Sequence, residues 1–119
     1  MRYLMIFRSA TEADVTPSQE EIDAMGAFMS EMGERGYLLA ADGVLSSASG
    51  VKIRRSGDDF ELIDGPFTEA KEVIAGFAVV DVPDRTVAID IAKRFMVLGG
   101  DGEIEVREMH PEPAFPPRA

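Results

Sequence analysis

Two stretches of this chain are apolar on both faces when read as strands: Tyr3-Leu4-Met5-Ile6-Phe7, and the run from Val73 to Val82. A strand that faces water alternates apolar and polar residues, whereas one without that alternation is covered on both sides. Both runs therefore belong in the middle of a sheet, and the rest of the chain has to supply its edges and its covering layers. In the second run Val73, Phe77 and Val79 share one face, and Ile74, Ala78, Val80 and Val82 the other. Gly76 interrupts it, marking a bulge or a close backbone approach.

Each run leads into helical periodicity. After the first, Thr16 is read as a cap, with Pro17 at the first helical position and Gln19 completing a capping box. Ile22, Met25, Phe28, Met29 and Met32 then form a stripe at helical spacing, and Gly36 ends the helix. The stripe reads first as a helix packed on a sheet, although three Met in a row also suit an adaptable binding face. After the second run Asp84 caps a helix whose buried stripe is Val87, Ala88, Ile91, Ala92 and Phe95. Lys93 and Arg94 are placed in its last turns, where cations suit the dipole, and Gly99-Gly100 stops it.

Between these units, Tyr37 to Leu45 reads as a strand, and Val51 to Arg55 and Phe60 to Ile63 flank the hairpin signal Ser56-Gly57-Asp58-Asp59. Val51 and Ile53 share one face of that hairpin, with Lys52 and Arg54 on the other. Glu103 to Arg107 alternates, with Ile104 and Val106 inward, as a half-exposed edge strand. Glu103 and Glu105 on its outward face discourage edge pairing. Residues 109–119 form a Pro-rich tail beyond a domain spanning 1–108.

The order strand, helix, strand, hairpin, strand, helix, strand predicts an α+β, ferredoxin-like βαββαβ fold with an inserted β-hairpin. Its sheet is antiparallel, with both helices on one face. The first and third core strands of that topology are central, and they are the two runs apolar on both faces. Two helices cover one face only, so the other carries an apolar surface unusual in a monomer. A second copy packed sheet to sheet, as a two-fold homodimer, would cover it.

Composition excludes several functions. Cys is absent, which removes disulfides, thiolate catalysis and Cys-based zinc sites and fits a reducing cytoplasm. A net charge of −10 opposes nucleic-acid backbones. No apolar run reaches the roughly 18–20 residues of a membrane span. Phosphate-binding loops, dinucleotide fingerprints, His-rich metal sites and nucleophile elbows are not found, and nothing points to an organic cofactor.

The stretch richest in chemistry is Asp64-Gly65-Pro66-Phe67-Thr68-Glu69-Ala70-Lys71-Glu72, placed just before the second central strand. One reading is structural. Gly65 takes a positive φ, Pro66 fixes the next one, and Asp64 accepts a backbone N–H two residues on, while Phe67 plugs the core. The other is functional. Asp64, Glu69 and Glu72 set three carboxylates beside the ammonium of Lys71. Crowded like charges favour a shared proton, and Lys71 favours ionised neighbours, so one carboxyl is suited to acid–base work. Asp64 and then Glu72 are the catalytic candidates, with Lys71, Glu69 and Phe67 as ligand-binding residues. Arg2 and Arg8 are read as partners in surface salt bridges rather than ligand anchors, and Asp58-Asp59 as a solvated turn.

The pattern Asp64, Gly65, Pro66, Phe67, Glu69, Lys71, Glu72, Gly76 and Phe77, with the opening Met1-Arg2-Tyr3-Leu4-Met5, resembles the YCII-related family, in its Asp-Gly-Pro-Phe branch. The resemblance spans roughly residues 1–108. It implies a ferredoxin-like fold dimerising into an α/β barrel, in a bacterial protein of uncharacterised function that binds a small molecule near this motif. It also implies two alternatives. One is a cofactor-independent isomerase, lyase or dehalogenase acting on aromatic-derived acids through Asp64. The other is an accessory module of an extracytoplasmic-function sigma factor. The family's proposed His/Asp pair is not matched: His110, in the tail, is the one His of the chain.

Overall fold

The computed structural model describes residues 1–10, 17–67 and 73–111. Strand β1 (Arg2–Ser9) is followed by helix α1 (Gln19–Glu34), strand β2 (Leu38–Gly43), a 3-10 turn (Ser47–Ser49) and the hairpin strands β3 (Val51–Ser56) and β4 (Asp59–Asp64). Strand β5 (Ile74–Asp81), helix α2 (Arg85–Gly99) and strand β6 (Gly102–Glu108) complete the order. The main sheet runs β2-β5-β1-β6, all antiparallel neighbours, and β3-β4 forms a separate two-stranded ribbon. This is the ferredoxin-like βαββαβ arrangement with its hairpin inserted before β5, and the two runs apolar on both faces are the two central strands.

Alternation divides the sheet. Tyr3, Met5, Ala78, Val80 and Val82 turn to one face and are buried there with Phe28 and Met32 of α1 and Ala88, Ile91 and Ala92 of α2. Met5, Met32 and Val80 are the large side chains shut off most completely from solvent. Phe28 and Phe95 join the helices edge to face, with ring centroids 4.8 Å apart. On the opposite face Leu4 stands beside Val79 and Ile6 beside Phe77, and no helix covers them. Phe77 is 40% exposed there, and Leu39, at the irregularity of β2, is 55% exposed.

The local signals need three corrections. The cap of α1 is Ser18, whose Oγ accepts from the Glu21 N–H at 3.2 Å; Thr16 lies outside the described residues. Ile22 is exposed, because the helix meets the sheet only from Met25 onward. Arg94 does not serve the end of its own helix: it donates to Glu31 of α1 at 3.0 Å and lies 4.4 Å over the Phe28 ring. The cap of α2 is as read, with Asp84 Oδ1 accepting from the Val87 N–H at 2.9 Å. Gly36 follows α1 at φ 75° and Gly100 follows α2 at φ 96°, where a side chain would be strained.

A candidate apolar binding cleft

Between the helices and one end of the sheet lies a cleft of about 260 Å³. Its floor is built by strand alternation: Met5 and Phe7 from β1, Ala41 from β2, Ala78 from β5 and Ile104 from β6. Its roof is Met25 and Met29 of α1 with Phe95 and Gly99 of α2. The room comes from small residues. Gly43 and Gly76 face each other across the β2–β5 ladder, and neither fills the space above it. Gly76 is a glycine for a close approach, since a Cβ there would stand 2.9 Å from the Asp42 carbonyl oxygen. A bulge sits beside it, where the register slips between Phe7 and Arg8.

Asp42 and Phe77 also border the cleft. They are register partners, one position out of phase with the inward pair Ala41 and Ala78, so they meet it along their backbones and turn their side chains to the helix-free face. The cleft is therefore walled by thioethers, phenyl rings and aliphatic groups. Among the described residues no polar or charged side chain is buried, and no group of His, Asp or Glu is placed to hold a metal ion. The Met stripe has a divided role: Met32 is core, while Met25 and Met29 look into the cleft.

The Asp-Gly-Pro-Phe segment lies elsewhere, at the foot of the hairpin. Asp64 is exposed and ends β4 opposite Val51. It makes no Asx-turn, because the residue two positions on is Pro66, which has no N–H. Gly65 does not take a positive φ. Its N–H donates to Gly50 O at 2.9 Å, and a Cβ on it would run into the Ser47 carbonyl. Pro66 follows through a cis peptide bond. Phe67 is half-buried rather than a core plug: its N–H donates to Ser47 Oγ at 2.8 Å, and Lys52 Nζ stands 4.3 Å over its ring. Glu69, Lys71 and Glu72 lie outside the described residues. Of the motif's described positions, Gly76 and Phe77 border the cleft and Asp64 to Phe67 do not.

Of Arg2 and Arg8, both read as surface salt-bridge partners, only Arg8 meets a carboxylate among the described residues. Arg8 donates to Glu105 at 3.1 Å on the open sheet face, beside an Arg107–Glu105 contact of 2.9 Å. Arg2 donates to the His110 carbonyl at 2.8 Å.

A family model described as "YCII-related domain" matches residues 1–112. No curated protein matches the chain. A solved structure similar to it is the 5-chloro-2-hydroxyhydroquinone dehydrochlorinase of Burkholderia phenoliruptrix in complex with 2,5-dihydroxybenzoquinone. The identity is 13% and the TM-score 0.49, over 92% of this chain and 94% of that one.

Proposed function

As the chain belongs to the YCII-related domain family, we propose that it binds an uncharged, apolar small molecule in the cleft between helices and sheet, and that it does so as a homodimer. The observation that carries the binding role is the wall of the cleft, about 260 Å³ enclosed by Met5, Phe7, Met25, Met29, Phe95 and Ile104 with no ionisable side chain turned inward among the described residues. Apolar cavities of about 150 Å³ already hold a benzene-sized guest, so this one suits one to two rings. A carboxylate would have to shed its water without gaining a partner, at a cost of several kcal/mol. The mobile thioethers of three methionines let the wall fit guests of different outline. Support for the homodimer comes from the helix-free face, where Leu4, Ile6, Phe77 and Val79 make an apolar surface that monomers seldom leave open.

Titration calorimetry with 2-naphthol and 2-naphthoate tests the binding role. The neutral probe is expected to bind at least tenfold more tightly. Gly99 gives the blocking variant: a Cβ there would make ordinary contact with the Phe7 ring at 3.6 Å, so Gly99→Leu fills the mouth with little strain. It should abolish binding and leave the melting temperature near wild type. Asp64→Asn should leave binding unchanged. Equal binding of both probes, or undiminished binding to the Gly99→Leu variant, would remove the cleft as the site.

A further inference from the structure

The β3–β4 hairpin presents a second apolar surface. Cross-strand partners share a face, so Val51, Ile53 and Arg55 lie with Asp64, Leu62 and Phe60. Val51 is 49% exposed, Ile53 62%, Phe60 64% and Leu62 66%. The opposite face carries Lys52, Arg54, Ser56, Asp59 and Glu61, and at its foot Lys52 and Ile63 are half-buried. The hairpin thus leans on its own protein by its polar side and holds its greasy side to solvent. An isolated two-stranded ribbon is marginal in water, and a layer on the apolar face is what such a ribbon lacks.

The charges at the two ends of that face indicate the layer. Arg55 stands at the turn end and Asp64 at the foot, with the apolar residues between them. The Arg55 Nε donates to Gly57 O at 2.7 Å, leaving the terminal amino groups to reach outward. Asp64 has no side-chain hydrogen bond or ion pair among the described residues. A two-fold axis across the middle of the ribbon, at Ile53 and Leu62, exchanges its ends when two such faces meet. The row of Arg55 then lies over the row that carries the partner's Asp64, within a guanidinium's reach. A chain of net charge −10 repels its own copy, so a pairing of opposite charges at both ends of a shared apolar strip favours association with a second copy.

We propose that the apolar hairpin face packs on the same face of a second copy, with Arg55 of each chain paired to the partner's Asp64. This rests on the homodimer reading above. Four side chains fall well short of the roughly 800 Å² that each partner gives to a stable interface. The hairpin contact therefore adds to a dimer in which the helix-free sheet faces also meet, both related by one axis.

Sedimentation equilibrium over micromolar concentrations tests this. Arg55→Glu and Asp64→Arg are each expected to weaken the dimer at least tenfold, and the doubly reversed chain to recover to within about threefold of wild type. Ile53→Cys, in a chain with no other Cys, should crosslink to its counterpart with a short bismaleimide. A wild-type chain that sediments as a monomer overturns the homodimer and this inference together. A wild-type dimer insensitive to both single reversals, or not rescued by the double one, overturns the hairpin pairing and leaves the sheet-to-sheet dimer in place. Failure of the Ile53→Cys chain to crosslink does the same.

Discussion

Gly76 faces Gly43 across the β2–β5 ladder, and its α-carbon passes so near the Asp42 carbonyl that a methyl group would come within 2.9 Å of it. The neighbour in the way is backbone, which gives only if the ladder shifts. Gly76→Ala is expected to destabilise the fold by about 2 kcal/mol, read as a lower midpoint in urea with an unchanged slope. Gly43→Ala, whose Cβ would sit 3.7 Å from Ala75 O, should cost much less. The pair separates close approach from a general intolerance of side chains at the cleft floor.

Met32 and Val97 lie on different helices at opposite extremes of burial, 1% and 85% exposed. Met32→Ala leaves a hole beneath α1 and is expected to cost about 2–5 kcal/mol. Val97→Ala should stay within about 0.5 kcal/mol of wild type. Chemical denaturation of both variants checks the contrast, and comparable losses would place the core elsewhere.

The Asp-Gly-Pro-Phe segment is held by Ser47, whose Oγ accepts from the Phe67 N–H at 2.8 Å. Ser47→Ala removes that acceptor and is expected to cost about 1 kcal/mol. Hydrogen exchange should show faster exchange of the Phe67 amide, while the amides of β1 and β5 stay protected. Unchanged exchange at Phe67 would mean that the hydroxyl does not hold the segment.

The Glu105 carboxyl is held below its ordinary value of 4.5, first by the hydrogen bond from Arg107 and then by that from Arg8. Its pKa is lower in the folded chain than in the unfolded one, so the ionised form contributes stability above 4.5. That contribution is lost as pH falls through the lower folded value. The melting-temperature gap between wild type and Glu105→Gln should therefore be full at pH 7 and close as pH falls below 4.5 and through the lower folded value. Because the groups are largely solvated the gap is small, and added salt should narrow it at pH 7.

Much of the fold is legible in the order of the residues. An unbroken apolar run needs cover on both sides wherever it lies, so Tyr3–Phe7 and Val73–Val82 announce the two central strands without reference to any partner. The Asp84 cap, the glycine stops and the turn at Ser56-Gly57-Asp58-Asp59 are likewise local, each set by backbone geometry within a few residues. The Asp-Gly-Pro-Phe segment misleads for the opposite reason. Gly65 is required by the Ser47 carbonyl and Phe67 is anchored by the Ser47 hydroxyl, contacts formed by a distant part of the chain. No local turn rule contains them.

The cleft is the clearest case of something tertiary structure decides. Met25 and Met29 read first as core and only second as a binding face, and Phe7 and Phe95 as core, since an apolar side chain at helical or strand spacing looks the same whether it meets a neighbour or a void. What opens the space is that Gly43, Gly76 and Gly99, remote in sequence, converge on one end of the sheet. The periodicity of the chain determined which faces are greasy. Only the packing of helices on the sheet decided where that grease closes into a core and where it is left to receive a guest, because a cavity is a property of the gap between elements and not of any one of them.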